Sequence, residues 1–494
     1  MKLPCSCTSI LASALAAAIA LITPSRAEAL TYLVTNTNDA GTGSLRQKIA
    51  DAATNSTGPH TIYFDIAANS TITLASRITI PNGLVLTIDA TAPTGISLDG
   101  NGSTRLIQVG DGARVSIKGL TLRNGYSNLD AGGCISSPNS TSTLRLEAVF
   151  VLNCVSFQPS GSAFAGAVYA YSPLTIIDSR FEDNRVRNDN GSAYGGAIMS
   201  TGALEITNTS FFGNEASAHA TEAGGGAIEA RAGGRFDRVV FVGNASLGDS
   251  ASVRTIGGAV RSRTTSEIRV VRSLLVGNSA QQGAAIEVQN AASAFVTRLF
   301  IRDSQIVGNF GGIATSLLNV SSDIRNTTFW KNDGGNQSAA HLLYGGAQTV
   351  VDAFTHNLLA PVAGNAPACD LANLPVAAVG GGRNLFPDSS CSALATDSTV
   401  WTGDFRIRAL RRPVGDPAGM PAVELFAGSP ALDAGKPLPV DPPGASDCTT
   451  TDVRGQARPQ DADADGQAAC DIGALETVGE ASLFADDFEV PLLR

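Results

Sequence analysis

Two short motifs alternate along the middle of this chain, and their regular spacing is the feature that most limits how it can fold. The first motif is Phe-x-x-Asn, with Leu or Ile variants, and its asparagines are Asn153, Asn184, Asn214, Asn244, Asn278, Asn309 and Asn332. The first four asparagines are 31, 30 and 30 residues apart. The second motif, Gly-Gly-Ala-Ile or a variant, begins at Gly195, Gly225, Gly257 and Gly283. A fixed period of this kind indicates stacked structural repeats.

The residues between the motifs have the composition and periodicity of short strands. They are rich in Val, Ile, Thr and Phe, and stretches such as 204–206 alternate apolar and polar residues, as strands with one buried face do. The sequence therefore predicts an all-β fold, a right-handed parallel β-helix of the pectin-lyase-like kind. Phenylalanines are expected to stack inside it and asparagines to form an amide ladder at a turn. A β-propeller is the alternative, although its blades are usually ~40 residues long and antiparallel.

The start of the repeats carries a helix signal. Ser44-Leu-Arg-Gln47 fits a capping box, and Leu45 and Ile49 would lie on one helical face. Residues 43–53 are therefore predicted to form a short helix that caps the first coil. Strands are predicted to follow at 61–64, 72–74, 85–88, 105–109 and 115–122.

Changes in composition divide the chain into predicted structural regions. The β-helix with its cap is predicted over 30–345, and it continues irregularly over 346–433, where the repeat loosens and proline accumulates. A C-terminal module is predicted at 434–476 and an acidic tail at 477–494.

The first 29 residues are predicted to be a signal peptide. Lys2 supplies a positive charge, residues 10–22 are apolar, and Ala27-Glu-Ala29 fits a cleavage site. A membrane anchor is the less favoured alternative, because a spanning helix needs ~20 apolar residues. The mature chain is expected to begin near Leu30, to have no transmembrane segment and to be extracellular or on the cell surface.

The net charge of the chain limits the classes of partner that it can bind. The net charge of −10 becomes −11 without Lys2, Arg26 and Glu28, because these three residues together carry +1. An acidic surface argues against nucleic acid as a partner. We expect the chain to be a monomer.

The cysteines predict disulfides. Six of them follow the predicted leader: Cys134, Cys154, Cys369, Cys391, Cys448 and Cys470. An even number in an exported chain favours disulfides, with fifteen possible connectivities. Sequence neighbours are 20, 22 and 22 residues apart, close to one turn of a β-helix, so each is predicted to pair with its neighbour.

One column of the aligned repeats carries charge. Alignment of the glycine motifs places Glu229, Arg261 and Glu287 in an outward column. The two glutamates would be about 9.6 Å apart, which is near the upper limit for the carboxylates of an inverting glycosidase. The favoured interpretation is a solvent-exposed ion-pair ladder, and a catalytic pair is the alternative.

The C-terminal module contains a candidate calcium loop. Asp461, Asp463 and Asp465 are followed by Gly466, a spacing that lets alternate carboxylates converge on a hard cation. The next acid is Asp471, and a non-ligand, Ile472, occupies the twelfth position. Calcium and a solvated acidic turn both remain open.

The motifs resemble those of known families. The alternating pair resembles repeats of chlamydial polymorphic outer-membrane proteins, and TNTNDAGTGSLRQKIADA at 35–52 resembles secreted bacterial β-helix proteins named for a CSLREA motif, although Gly43-Ser44 replaces its cysteine. GSPALDAG, DVRG and CDIGALE are similar to the C-terminal module of the choice-of-anchor class. The resemblance implies a surface, adhesive or carbohydrate-facing role. We therefore expect an exported scaffold that binds a glycan or a protein without catalysis, the alternative being a polysaccharide lyase or glycoside hydrolase.

Overall fold

The fold is known from a computed structural model. It describes residues 29–55, 58–128, 130–290, 297–333, 341–345, 349–360, 367–371, 374, 382–395, 397–412, 419–435, 448–462 and 465–478. These residues confirm the predicted class, because they form a right-handed parallel β-helix in which strands pair with their counterparts one coil away. The predicted signal peptide, apart from Ala29, and residues 479–494 of the predicted tail lie outside the described part.

Two sheets run almost the whole length of the solenoid. Sheet 1 consists of Thr31–Val34, His60–Phe64, Val85–Asp89, Arg114–Lys118, Thr143–Glu147, Leu174–Ile177, Leu204–Thr207, Gly234–Asp237, Ile268–Val271, Thr297–Arg302, Val320–Arg325 and Val350–Thr355. Sheet 2 consists of Thr71–Thr73, Ser97–Asp99, Thr121–Arg123, Phe150–Leu152, Arg180–Glu182, Ser210–Phe212, Val240–Val242, Leu274–Val276, Gln305–Val307, Thr328–Trp330, Leu358–Leu359, Gly382–Phe386 and Asp397–Val400.

Sheet 3 is built from two columns of strands. Its inner column consists of Ile78–Ile80, Ile107–Val109, Ile135–Ser137, Val168–Ala170, Ile198–Ser200, Ile228–Ala230 and Val260–Arg263. Its outer column consists of Ser162–Phe164, Ser192–Tyr194, Glu222–Gly224 and Arg254–Ile256. One long strand, Gln282–Gln289, pairs with both columns, and Ile313–Leu318, Leu342–Gly345 and Cys369–Asp370 extend the sheet beyond it.

Sheet 4 and the outer column of sheet 3 form a projection that we call the fin. The strands of sheet 4 are Tyr126–Asn128, Val155–Gln158, Arg185–Asn188, Glu215–Ala218 and Ala245–Gly248. In these coils the chain leaves the solenoid on a sheet 4 strand and returns on an outer-column strand. The fin has a small core of its own, made of Ala163, Val186, Ala193, Ala216, Ala218, Ala223 and Val253. Small side chains let the two layers lie close together.

The interior columns explain the Phe-x-x-Asn motif. Phe181, Phe211 and Phe241 stack with ring centroids 5.0 Å apart and are fully buried. Beside them, six buried asparagines form the predicted amide ladder: Asn184, Asn214, Asn244, Asn278, Asn309 and Asn332. From Asn214 onward, each Oδ1 accepts the backbone N–H and the side-chain amide of the asparagine in the preceding coil. The ladder therefore satisfies polar groups that could not reach water.

The prediction that Asn153 belongs to this ladder is wrong. Val151, not Phe150, pairs with Phe181, so the register places Cys154 beside Asn184. Asn153 is exposed and has a left-handed backbone, with φ of 54°. The first spacing of 31 residues, against 30 for the next two, is the sequence sign of this shift.

The predicted capping helix is confirmed with its bounds moved. The helix spans Leu45–Asn55, and Ser44 Oγ accepts the N–H of Gln47 at 3.2 Å. Leu45 and Ile49 are buried in the main core, as predicted. The Gln47 side chain donates to Asp51 at 2.8 Å, so only one half of the capping box forms.

The strand predicted at 115–122 is two strands. Gly119 separates Arg114–Lys118 from Thr121–Arg123 with φ of 68°. This left-handed residue is the corner between sheets 1 and 2, and later coils repeat it at Ala148, Asp178, Asn208, Arg238, Arg272, Asp303, Asn326 and His356.

All three predicted disulfides form. The bonds join Cys134 to Cys154, Cys369 to Cys391, and Cys448 to Cys470. The first closes one coil at the point where the asparagine ladder begins.

The C-terminal segment folds back onto the outer face of sheet 2. An antiparallel pair, Ile407–Arg411 and Ala422–Leu425, packs there, and the Gln305 side chain exchanges two hydrogen bonds with the backbone of Val423, at 3.1 and 2.8 Å. Thr328 Oγ1 accepts the N–H of Ala474 at 2.9 Å. A short 3-10 helix, Ser389–Leu394, lies before this pair. The described part of the chain contains no helix with the length and apolarity that a membrane crossing requires.

Candidate functional site

The candidate site is the angle between the fin and the solenoid body, which we call the cleft, where rings of the two columns of sheet 3 approach each other. The two columns of sheet 3 meet at the Gly-Gly-Ala motif, where the chain bends sharply. The first glycine has a positive φ, 74° at Gly195 and 63° at Gly225. A Cβ on the second glycine, Gly196, would lie 1.9 Å from the carbonyl oxygen of Gly226. Only glycine fits both positions, and the bend turns the outward side chains of the two columns towards each other.

Aromatic rings line one end of the cleft. Phe164 and Tyr194 of the outer column stack at 6.0 Å, and Tyr169 of the inner column lies 6.5 Å from Phe164. All three rings are partly exposed. The Arg231 guanidinium lies over Phe164 and Tyr194, 5.5 and 5.2 Å from their centroids. Tyr171, two residues beyond Tyr169, is 49% exposed.

Charged residues fill the other end, around Arg261. Its Nη2 donates to Glu222 Oε1 at 2.8 Å, and its Nη1 and Nε lie 3.5 and 3.7 Å from Glu229 Oε2 and Glu287 Oε2. Arg261 therefore forms ion pairs with Glu229 and Glu287, but these two contacts are too long to be hydrogen bonds. Two further arginines pair with these glutamates: Arg231 with Glu229 and Arg254 with Glu222, both at 3.2 Å. We use the name charge cluster for Glu222, Glu229, Arg231, Arg254, Arg261 and Glu287.

The predicted column is real, but its predicted exposure is wrong. Glu229 pairs with Arg261, and Arg261 with Glu287, in the register of sheet 3. The Arg261 side chain is 1% exposed, and those of Glu229 and Glu287 are 0% exposed. The column therefore is not a solvent-exposed ladder, because the fin covers it.

Gly224 explains this burial. It occupies the position that Phe164 and Tyr194 occupy in the two preceding coils. A Cβ there would lie 2.6 Å from Arg261 Nη1. The missing side chain leaves the space that the guanidinium fills, 5.1 Å from the Tyr194 centroid. The break in this aromatic column is the sequence signal that points to a buried Arg261.

Burial dominates the electrostatics of the cluster. Burial raises the pKa of Glu287 to about 8, and Arg261 opposes this only in part. Neither oxygen of Glu287 has a hydrogen-bond partner. For Arg261, burial lowers the pKa, but the carboxylates of Glu229, Glu287 and Glu222 outweigh it, and the pKa is raised. Arg261 therefore stays charged while Glu287 is largely protonated at neutral pH.

The burial of the glutamate carboxylates also decides whether they could act in catalysis. A general acid or base has to approach the reacting atom to hydrogen-bond distance. Glu229 and Glu287 are fully buried, so a polysaccharide in the cleft would not touch them in this conformation. The aromatic side of the cleft is partly exposed, while the buried charge cluster holds the two columns of sheet 3 together.

Replacing Glu287 by glutamine is expected to make stability less dependent on pH. Because the folded pKa of about 8 lies above the ordinary value of 4.5, the stability that this carboxyl contributes is present below about pH 4.5 and is lost as the pH rises towards 8. The free energy of unfolding of Glu287→Gln relative to the wild type should therefore increase from pH 5 to pH 8. Urea denaturation at both pH values measures this difference. The exposed Glu205→Gln is the control, and an equal difference at both pH values would contradict the assignment.

The predicted calcium loop lies partly outside the described residues, because Asp463 is not among them. Asp461 Oδ2 accepts the N–H of Gly466 at 3.0 Å, and Asp465 Oδ1 accepts the N–H of Gln467 at 2.8 Å. Each of these carboxylates therefore accepts a backbone N–H, and calcium binding stays a prediction.

Asp471, the fourth predicted ligand, is buried away from solvent. Its two oxygens accept the N–H groups of Asp433 and Thr477 at 2.9 and 2.7 Å, and burial raises its pKa to about 6. It ties together two segments of the C-terminal module. Among the described residues, the one group of potential metal ligands that lie together is His356 with Cys448 and Cys470, but these two cysteines are bonded to each other.

In comparisons with known proteins, no family model, curated protein or solved structure matches this chain.

Proposed function

We propose that this chain is an exported scaffold that binds a glycan in the cleft between the fin and the solenoid body, without turning it over. The observation that carries the proposal is the set of partly exposed rings of Phe164, Tyr169 and Tyr194 in a re-entrant bend of sheet 3. Binding sites are typically concave and largely apolar, with a few fixed polar groups.

The chemistry of the lining fits a carbohydrate. A sugar ring has apolar C–H faces and hydroxyl edges, and tyrosine offers an apolar ring with a polar tip. Arg231 lies across two of the rings and offers donors beside them. Each of the three arginines of the charge cluster is paired with at least one of its glutamates, so each positive charge is already engaged and the cleft suits a neutral glycan.

Two further features support a position outside the cell. Three disulfides are typical of proteins that fold in an oxidising environment. The predicted signal peptide and the resemblance to secreted bacterial β-helix proteins point to the same place. The burial of Glu229 and Glu287 favours binding over the alternative of a lyase or hydrolase.

The proposal predicts that Tyr169→Ala lowers glycan affinity by roughly ten-fold or more, because aromatic anchors supply a large part of the energy at such sites. A glycan array identifies positives with the wild type, and calorimetry then compares the variant on one of them. Tyr63→Ala removes a tyrosine that is 42% exposed on sheet 1 and is the control. Equal binding by all three proteins, or new reducing ends or unsaturated products in the positives, would contradict the proposal.

A further inference from the structure

A second concave surface lies along the edge of the C-terminal segment, where that segment meets the part of sheet 2 that it does not cover. This groove encloses about 340 Å³. Sheet 2 and its corner with sheet 1 supply Arg180, Phe212 and Arg238, and the C-terminal segment supplies Arg412 and Arg454. The groove exists only because the C-terminal segment docks on sheet 2.

The groove is strongly cationic for an acidic chain. Four arginines line it and none of the lining residues that the structure describes is acidic, while the whole chain carries a net charge of −10. Arg180 pairs with Glu182 at 2.8 Å, and Arg454 pairs with Glu424 at 2.9 Å. Within the described residues, Arg238 forms no ion pair. A concave site lined by one sign of charge concentrates ligands of the opposite sign.

Two of the four guanidinium groups are held in place. Arg180 lies 4.2 Å from the Phe212 ring centroid. Arg454 donates to the carbonyl oxygens of Met420 and Arg411 at 3.2 and 2.7 Å. Arginines with fixed orientation lose little entropy when they bind a planar or tetrahedral anion.

We propose that this groove binds an anionic carbohydrate, through its carboxylate or sulfate groups, separately from the cleft on sheet 3. Arg238 is the group available to the ligand, and Arg412 faces it from the C-terminal segment. This site does not depend on the cleft, so either assignment can fail alone.

The test is calorimetry on the full chain with three probes of equal length: an oligogalacturonate, a sulfated oligosaccharide and a neutral oligosaccharide. The variant is Arg238→Asn, because Arg238 has φ of 55° and asparagine tolerates the left-handed conformation, as Asn208 does in the preceding coil. Arg235→Gln, on sheet 1, removes the same charge elsewhere.

We expect one or both anionic probes to bind more tightly than the neutral one, with an affinity that falls as salt is added. Arg238→Asn should weaken that binding about ten-fold, and Arg235→Gln should leave it unchanged. The probe that binds identifies carboxylate or sulfate as the recognised group. Failure of both anions to bind, or equal weakening by the two variants, would overturn the proposal.

Discussion

Replacing Arg261 by methionine is expected to destabilise the folded chain by about 3–5 kcal/mol, since it removes the buried cation that the ionised Glu222 and Glu229 share. Arg261 is the one cation in contact with all three glutamates of the charge cluster, at 2.8 to 3.7 Å. Urea denaturation followed by circular dichroism measures the change.

Arg254→Met is the matched control for this prediction. Arg254 belongs to the same cluster, but its side chain is 58% exposed and it pairs with Glu222 alone. Its loss should lower the free energy of unfolding by at most about 1 kcal/mol. If the two variants were equally stable, the buried cluster would not hold the columns of sheet 3 together.

Replacing Asn244 by alanine is expected to lower the free energy of unfolding by about 3 kcal/mol or more. Its side chain accepts from the N–H and the amide of Asn214 and donates to Phe211 O and to Asn278 Oδ1, at 2.9 to 3.1 Å. The substitution leaves the Asn214 N–H buried without an acceptor, at about 1–3 kcal/mol, and it removes three further side-chain hydrogen bonds. Thermal and urea unfolding measure the loss.

The Asn153→Gly variant tests whether stability depends on membership of the asparagine ladder or only on the asparagine position of the Phe-x-x-Asn motif. Asn153 has the same motif position but lies outside the ladder, and glycines occupy the corresponding corner in later coils, such as Gly213 and Gly243. The variant should therefore change stability by no more than about 0.5 kcal/mol. A large loss at Asn153 together with a small one at Asn244 would mean that the register described here is wrong.

Much of the fold could be predicted from the sequence, because a repeat fold reports its own periodicity. The coil, the stacked phenylalanines, the amide ladder and the capping helix all follow from residues that recur or that have strong local preferences. The disulfides followed from spacings near one coil. Asn153 shows the limit of this reasoning, because a shift of one residue changes which side chain faces the core.

The candidate site was less accessible to sequence reasoning. The register of Glu229 and Arg261 was predictable, but their burial depends on the fin, whose small strands carry little sequence signal. The docking of Ile407–Arg411 on sheet 2 also could not be predicted, because its contacts, such as that of Gln305 with Val423, join residues more than a hundred positions apart.

The most direct test of the central claim is hydroxyl-radical footprinting of the wild-type chain with a glycan that the array identifies. Reactivity of partly exposed tyrosine and phenylalanine side chains reports whether the ligand covers them. The account predicts that Tyr169 and Tyr194 are protected when the glycan is bound and that Tyr63, on sheet 1, is not. If both cleft tyrosines stayed fully reactive when the glycan was bound, the assignment of the cleft as the glycan site would be contradicted.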